Sequence, residues 1–316
     1  MNARNFSAFL KQFALLSQRQ RAHLLALLHP VRDSAAEVID AVTGAQPVCP
    51  HCTSAVIYRH GHANGLQRYP CRSCGKTFNG LTGTPLARLH HRARWFDYLD
   101  CMIDAKSVRR AAATAGVHRN TSFRWRHRFL MAAQVAPTRL TGIAEADETF
   151  LRESEKGARQ LDRPPRKRGG PAGKPGISSE QICILVARDR TGQTVDFVTG
   201  KGPVTKQQLH IHLPPVLDRD VLLVTNGNAA YQYFALEAGI THEAVNLRAG
   251  IRTRGAVHVQ NVNAYHGRFH QWLSRFHGVA TRYLRNYLTW RHVLDVDRIA
   301  SPEALLTAAI GLSYTR

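Results

Sequence analysis

Four cysteines form two matched pairs, and this pattern is the clearest chemical signal in the sequence. Cys49 and Cys52 form one CxxC pair, and Cys71 and Cys74 form the second. Two thiolates three residues apart in a tight turn point the same way, so two such turns supply four sulfur ligands to one Zn²⁺. A redox dithiol is the alternative, although such dithiols do not normally come as two matched pairs. We expect a structural zinc ion whose binding folds this short segment.

The residues between the two pairs predict how the sulfurs are held. Ala55–Arg59 and Gln67–Pro70 have strand-like composition, and the turn-forming stretch His60–Gly65 separates them. The pattern predicts a zinc ribbon over residues 45–80. Cys101 and Cys183 are isolated, and we expect both to be small buried hydrophobic residues.

A second segment with binding chemistry is Ser107–Leu130. Gly116 marks a sharp turn between an alanine-rich helix and a second helix, which we expect to be capped around Asn120 or Thr121. This spacing is typical of a helix-turn-helix, here within residues 90–135, and Arg and Asn are the side chains that contact guanine and adenine edges. An ordinary helical hairpin with a solvated basic face is the alternative. The expected apolar face is Phe123, Trp125 and Phe129, and the expected DNA-binding residues are Arg119, Asn120, Ser122, Arg124 and Arg126.

The charge balance indicates a polyanionic partner. Lys and Arg total 43 against 22 Asp and Glu, for a formal net charge of +21. Double-stranded DNA fits this excess better than a membrane surface, because the sequence has neither a basic amphipathic helix nor a lipidation motif. Residues 156–178 are rich in Pro, Gly, Arg and Lys. We expect a basic loop there, which is either a solvated linker or a polycation along a DNA backbone.

The sequence also excludes some locations for the protein. The N-terminal apolar residues are interrupted by polar and basic side chains, so they form neither a signal peptide nor a membrane span. We expect a cytoplasmic protein with no membrane partner. Residues 1–40 have helical apolar spacing, and we expect one or two packing helices within residues 5–30 that end at Pro30.

The second half of the chain, residues 140–295, has an α/β pattern, and a C-terminal helix is expected over residues 296–316. Three successive strands, then helix, strand, helix, strand and helix, is the order of a ribonuclease-H-like domain, with a hairpin turn at Asp189–Gln193. The expected strands are Ile143–Phe150, Gln181–Arg188, Thr194–Thr199, Val221–Thr225 and Thr241–Val245, and the expected helices are Lys206–Leu213, Ala229–Ala238 and Val259–Phe276.

Motifs along nearly the whole chain resemble bacterial insertion-sequence transposases of the zinc-ribbon, DDE-related kind, the ISXO-like group. The matching segments in order are CPHC…CRSCGKTF, TGTPL, SFRWRHRFL, ADETFLRESEKGAR, LLVTNGNAAY and HVQNVNAYHGRFHQWLSRFHGVATRYLRNYLTWR. The resemblance implies an enzyme that binds terminal inverted repeats, frees a 3′-hydroxyl and joins it to target DNA. It also implies Mg²⁺ or Mn²⁺ as the catalytic ion and a homo-oligomer assembled on DNA.

The same resemblance assigns three candidate catalytic residues. Asp147 matches the first acid, Asn226 stands where the family has its second Asp, and His266 aligns with the third position, which is Glu, Asn or His in the family. Two-metal phosphoryl transfer needs carboxylate charge, which an Asn carbonyl does not bring, and His suits Mn²⁺ better than Mg²⁺. Asn also suits a turn before Gly227, so the residue is open to a purely structural interpretation.

Two functional hypotheses follow for the chain. The first is a transposase that cleaves and joins DNA, impaired because of Asn226. The second is a catalytically dead descendant that still binds DNA, as a repressor or a decayed insertion-sequence copy. A zinc-ribbon transcription factor without enzymatic ancestry does not explain the α/β half of the chain.

Overall fold

The structure is a computed structural model, and it describes nearly all of the chain beyond residue 33. The described ranges are residues 34–45, 47–132, 139–161, 163–165, 173–245, 253–295 and 299–310, together with residues 7, 12, 15–17 and 20. The helices expected over residues 5–30 therefore lie mostly outside the described residues. Helix α1, Ser34–Ala45, was not predicted from the sequence.

The cysteine segment folds into two very short hairpins. Strand β1, His62–Ala63, pairs with β2, Leu66–Gln67, and β3, Tyr69–Pro70, pairs with β4, Thr77–Phe78. The strand expected over residues 55–59 does not form as a continuous element, because only an isolated bridge from Ile57 to Cys71 is made there. The chain nevertheless runs alongside the β2–β3 segment, since the N–H of His60 donates to the carbonyl of Arg68 at 2.9 Å.

Three helices follow the cysteine segment. They are α2, Trp95–Ile103, α3, Val108–Thr114, and α4, Arg119–Ala132. Ser107 caps α3 by accepting from the N–H of Arg110, and Gly116 occupies the turn with φ +60°, a conformation that glycine adopts without strain. Helix α4 begins before the expected cap at Asn120 or Thr121. The ring nitrogen of His118 instead accepts from the N–H of Asn120 at 3.2 Å.

A five-stranded mixed sheet forms the centre of the second half. Its strands lie in the order β7-β6-β5-β8-β9, where β6 is antiparallel to both neighbours and β5, β8 and β9 are parallel. Each strand agrees with its expected range to within two residues at either end. The strands are β5 Ile143–Arg152, β6 Gln181–Asp189, β7 Thr194–Lys201, β8 Leu222–Thr225 and β9 Thr241–Ala244.

Helices cover both faces of this sheet. Alternate residues of β6 separate into two cores: Ile184 and Val186 belong to one, and Leu185 and Ala187 belong to the other. The first core is covered by α7, Gln260–Ser274, and α8, Leu284–Asp295, and the second by α5, Lys206–His212, and α6, Ala229–Ala238. A short hairpin of β10, Thr253–Arg254, and β11, Val257–His258, leads into α7.

The helical segment and the sheet share the first of these cores. Trp95 of α2, Trp125 of α4, Trp290 of α8 and Leu306 of the final helix α9, Pro302–Ile310, belong to one continuous apolar cluster with β6. Helix α9 packs on α1, α2 and α4. Within the described residues, none of the helices combines the length and the apolar character needed to cross a bilayer.

Candidate active site and DNA-contacting helix

Asp147 and Asn226 meet at the centre of the sheet. Asp147 lies in β5, the middle strand, and Asn226 follows the last residue of β8, whose Thr225 is opposite Ala146. The Nδ2 of Asn226 donates to Oδ1 of Asp147 at 2.6 Å, and Oδ1 of Asn226 accepts from the N–H of Asn228 at 3.1 Å. The amide therefore fills the turn after β8 and also faces the carboxylate.

The Asp147 carboxyl is poorly placed to carry a charge. Burial, together with the neighbouring charge of Glu148, raises the pKa of Asp147 to about 7. Hydrogen bonds from the Glu148 N–H, at 2.9 Å, and from Asn226 oppose this shift without cancelling it. At neutral pH this carboxyl is consequently divided between its protonated and ionised forms.

Two contacts fix helix α7 against strand β5. The buried carboxylate of Glu145 accepts from the N–H of Val262, in the first turn of α7, at 2.9 Å. Further along both elements, Oγ1 of Thr149 and Nε2 of His270 lie 2.6 Å apart. We call these two contacts, Glu145 with Val262 and Thr149 with His270, the strand–helix clamp.

The strand–helix clamp determines where His266 lies. Two residues along a strand span roughly 6.6 Å, and four residues along a helix span about 6 Å. The strand from Glu145 to Thr149 and the helix from Val262 to His270 are therefore nearly equal in length. Asp147 lies halfway along the first stretch and His266 halfway along the second, so the two residues lie alongside each other. Both are on the sheet face that α7 covers, because Asp147 is opposite Val186 of the first core.

His266 is a neutral, buried side chain. Burial, with a smaller contribution from His270, lowers the pKa of His266 to about 4. Its Nε2 is buried and has no hydrogen-bond partner among the described residues. A buried imidazole nitrogen without a partner is an unsatisfied group that a ligand or a proton could occupy.

Glu148 is a half-buried acid next to Asp147 that the sequence analysis did not single out. It is opposite Leu185, so it points to the other face of the sheet from Asp147. Burial raises the pKa of Glu148. Burial, together with the charges of Glu148 and Asp147, raises the pKa of the Tyr231 hydroxyl well above its usual value. The sequence signal was present, since Glu148 directly follows Asp147 in the DETF motif.

The donor atoms at this site fit Mg²⁺ poorly. They comprise two carboxyls with raised pKa values, those of Asp147 and Glu148, an amide whose nitrogen faces Asp147, and an imidazole nitrogen. Mg²⁺ prefers several charged or neutral oxygens, whereas Mn²⁺ accepts a nitrogen ligand more readily. Asp147, Glu148 and His266 do not form a compact set of three ligands in the described part of the chain, where only the four cysteines do.

The four cysteine sulfurs do fit a metal ion. Their Sγ atoms all lie within 4.8 Å of one another, with Cys49 and Cys74 at 3.7 Å and Cys52 and Cys71 at 3.6 Å. A tetrahedron with Zn–S bonds of about 2.3 Å has sulfurs about 3.8 Å apart. These distances match that tetrahedron, and no described sulfur is in a disulfide.

The thiols of this cluster are electrostatically unequal. Burial raises the pKa of Cys71, but the backbone N–H groups of Cys74 and Ser73 outweigh it and lower that pKa to about 6. A backbone contact with Ser54 lowers the pKa of Cys52, but burial and the other three sulfurs raise it to about 12. Adjacent thiolates repel one another, so all four ionise together only around a cation.

Helix α4 presents only some of the expected DNA-binding residues. Arg119, Asn120 and Arg124 are exposed. Ser122 and Arg126 are fully buried, and this corrects their expected position on the DNA-facing surface. Ser122 faces α2, where its carbonyl accepts from the hydroxyl of Tyr98.

Arg126 is buried because aromatic rings from a distant part of the chain enclose it. Its guanidinium lies 4.9 Å from the ring centre of Trp290 and 5.5 Å from that of Phe276, and its Nη2 donates to the carbonyl of Lys106 at 2.6 Å. Phe123, which was expected on the packing face with Trp125 and Phe129, is 40% exposed. The buried stripe of α4 is thus rotated relative to the expected one.

Comparison with known proteins gives a family for the second half of the chain. Residues 139–291 match the family described as the ISXO2-like transposase domain. The expected resemblance to insertion-sequence transposases is therefore confirmed, and Asp147, Asn226 and His266 all lie inside the matched segment.

A curated relative extends the similarity beyond that segment. Over 269 residues, the chain is 29% identical to a protein of Halobacterium salinarum described as an uncharacterized protein in transposable element ISH50. The similar region covers 82% of this chain and 89% of that protein. The similarity to a protein of a transposable element therefore exceeds the transposase domain itself.

Proposed function

We propose that this protein is a transposase that binds the terminal inverted repeats of an insertion sequence and that its strand cleavage is impaired by Asn226. Asp147, Asn226 and His266 form its catalytic centre, in a domain with ribonuclease-H-like topology. The strand order β7-β6-β5-β8-β9 and the matched transposase family support this assignment.

The observation that carries the impairment is the hydrogen bond from Asn226 to Asp147. Transposases of the DDE type use divalent metal ions, and the second Asp normally adds negative charge beside the first. Here the amide donates a proton to Asp147 at 2.6 Å, so the two side chains satisfy each other. A catalytic Mg²⁺ or Mn²⁺ would have to break this hydrogen bond and bind a site with one ionisable carboxyl fewer.

DNA binding is assigned to α4 and the zinc ribbon. The exposed Arg119, Asn120 and Arg124 lie in the first half of α4, which is the part of a recognition helix that contacts base edges. Zn²⁺ held by Cys49, Cys52, Cys71 and Cys74 keeps the ribbon folded. The excess positive charge of the chain supplies salt-sensitive attraction to duplex DNA, on which we expect a homo-oligomer to assemble.

Strand cleavage tests the proposal. The unmodified chain and an Asn226→Asp variant are incubated with labelled inverted-repeat DNA and either Mg²⁺ or Mn²⁺. The variant should cleave at least tenfold faster, which is a change of about 1.4 kcal/mol in the barrier, and the gain should be larger in Mn²⁺. Asp147→Ala introduced into that variant should abolish the gain. Equal rates for the unmodified chain and Asn226→Asp would contradict the assigned impairment.

The same hydrogen bond favours a second candidate function. Because the Asn226 amide satisfies Asp147 without a bound cation, the site is compatible with a catalytically dead descendant that still binds DNA. Such a protein would act as a repressor or be a decayed insertion-sequence copy. Binding of inverted-repeat DNA without cleavage by either the unmodified chain or the Asn226→Asp variant would favour this second function.

A further inference from the structure

The exposed end of helix α4 is flanked by a short turn from the transposase domain. In this turn, residues 281–283, the ring of Tyr283 lies 5.3 Å from that of Phe123 and 4.1 Å from that of His127. Asn286 adds a contact, since its Nδ2 is 2.9 Å from Nδ1 of His127. The turn therefore covers His127 and contacts Phe123 in the middle of α4, while Arg119, Asn120 and Arg124 in the first half of the helix remain exposed.

Arg282 stands at the edge of this contact. Its guanidinium lies 5.0 Å from the ring centre of Tyr283, and the side chain is exposed. Among the residues that the structure describes, no carboxylate lies within ion-pair distance of it. Arg282 is thus an exposed cation that one aromatic ring separates from Phe123 on α4.

The turn is also anchored to the strand that carries Asp147. The N–H of Thr281 donates to the carbonyl of Ser154 at 2.8 Å, and the N–H of Ser154 donates to the Thr281 hydroxyl at 2.9 Å. Ser154 lies two residues beyond Arg152, the last residue of β5. The exposed end of α4, the turn at residues 281–283 and the catalytic strand are consequently joined by direct contacts.

We propose that Arg282 binds a backbone phosphate of the same DNA duplex whose major groove receives the first half of α4. This inference rests on the proposed DNA binding by α4. The major groove of B-DNA is about 12 Å wide, so a cation one ring away from a helix in that groove lies beside the phosphates at its edge. A guanidinium is suited to phosphate oxygens because it offers a planar fork of donors.

A phosphate contact differs from a base contact in its effect on binding. It weakens binding to all DNA sequences alike and lowers the dependence of affinity on salt. Arg282→Ala should therefore reduce affinity for inverted-repeat and unrelated duplexes by the same factor, roughly fivefold, since a hydrogen bond is worth about 1 kcal/mol. The slope of log affinity against log salt should fall by about 1 unit.

The experiment measures this slope by fluorescence anisotropy with both duplexes for five proteins, which are the unmodified chain, Arg282→Ala, Arg282→Lys, Arg219→Ala and Arg124→Ala. Arg282→Lys should recover most of the affinity because it keeps the charge. Arg219→Ala is the matched control, because Arg219 is an exposed arginine that precedes β8, at the opposite end of that strand from Asn226. Thermal unfolding of each variant confirms that the Phe123–Tyr283 contact region still folds.

The outcomes separate the inference from the function on which it rests. If Arg124→Ala weakens binding while Arg282→Ala behaves like Arg219→Ala, the Arg282 contact is wrong and the role of α4 stands. If neither Arg124→Ala nor Arg282→Ala changes affinity, DNA binding by α4 is wrong as well. Preferential loss of inverted-repeat binding in Arg282→Ala would also overturn the inference, because it would indicate base contact.

Discussion

Asn226 occupies a place where its amide nitrogen does what a bound cation would do for two facing carboxylates. It donates to Asp147 at 2.6 Å, whereas an Asp at position 226 would set two acids against each other at that distance. Like charges this close cannot both remain ionised without a cation or a proton between them. A change of one amide to a carboxylate thus converts a self-satisfied pair into a site that requires an ion.

The raised pKa of Asp147 predicts a pH dependence of stability. The unfolded chain releases this proton near pH 3.9, whereas the folded chain holds it until about pH 7. The folded state therefore binds more protons between these limits, so the carboxyl lowers the free energy of unfolding as the pH rises from about 4 to about 7. The loss is complete above that window, at about 1.4 kcal/mol per pKa unit as an upper bound.

Asp147→Asn tests this pH dependence because asparagine cannot ionise. Urea titrations give the unfolding free energy of both proteins at each pH. As the pH rises from 4 to 7, Asp147→Asn should become more stable relative to the unmodified chain. Taking the difference removes the contribution of His266, whose lowered pKa acts in the opposite direction. A difference that is constant over this range would show that Asp147 titrates normally.

Single residues also mark the limit of what the sequence could predict. The cysteine pairs were visible in residue types and spacing, whereas the three transposase positions were assigned through the family resemblance. The burial of Arg126 was not, because the rings that enclose it, Phe276 and Trp290, lie far along the chain. A basic helix gives no local sign of which of its arginines a distant aromatic cluster will cover.

At the scale of elements, the strand–helix clamp sets the position of α7. Glu145 is fully buried and pairs with Arg190, and it also accepts from the Asn261 amide at 2.9 Å and from the N–H of Val262. Glu145→Gln keeps an acceptor but places an amide N–H₂ among these donors. We predict a loss of about 3 kcal/mol in unfolding free energy, the usual cost of breaking a buried pair.

A matched control exists for this substitution. Glu243 pairs with Arg254 at the surface, where both side chains are more than a third exposed. Glu243→Gln should cost under about 1 kcal/mol, because exposed ion pairs contribute little. Similar losses for the two variants, measured by urea unfolding, would remove Glu145 from its role in positioning α7.

The cysteine cluster gives a prediction about metal content. Purified protein should carry about one equivalent of Zn²⁺ per chain, and Cys71→Ser should lower this content, since thiolates are the zinc ligands. Cys183→Ala is the control, because Cys183 is buried in β6, away from the cluster, and should leave the content unchanged. Fully folded protein that contains no zinc by elemental analysis would contradict the site.

Most elements were predictable because their signals are local. The continuous apolar run of β6 and the turn between β6 and β7 predicted those strands, and the helices at residues 206–212 and 229–238 follow apolar spacing. The strands of the cysteine segment were less predictable, since strands of only two residues give little sequence signal of their own. Helix α1 was missed although Ala35, Ile39 and Val42 have helical spacing and pack into the first core.

At the scale of the whole molecule, the segment that contains α3 and α4 and the transposase domain meet through a shared apolar core. Arg126→Ala should cost about 2–4 kcal/mol of unfolding free energy, because it empties a buried site and removes the contacts with Trp290 and Phe276. It should leave the salt dependence of DNA binding nearly unchanged, because a buried guanidinium does not reach phosphate.

Arg124→Ala, two residues earlier and exposed, should behave in the reverse way. Its stability should change by less than about 0.5 kcal/mol, as for most surface substitutions, while DNA affinity falls. Thermal unfolding and anisotropy titrations on both variants give the comparison. Loss of affinity without loss of stability in Arg126→Ala would restore Arg126 to the DNA-contacting set.

The enclosure of Arg126 also limits how this protein can be recombined with its relatives. A graft that moves only residues 95–132 into another transposase would separate the guanidinium from Phe276 and Trp290, and Phe123 from Tyr283. Such a chimera would carry an unpaired buried charge on one side of the junction. The two segments that must stay together are separated in sequence. An exchange of α4 between transposases therefore has to move residues 276–290 together with that helix.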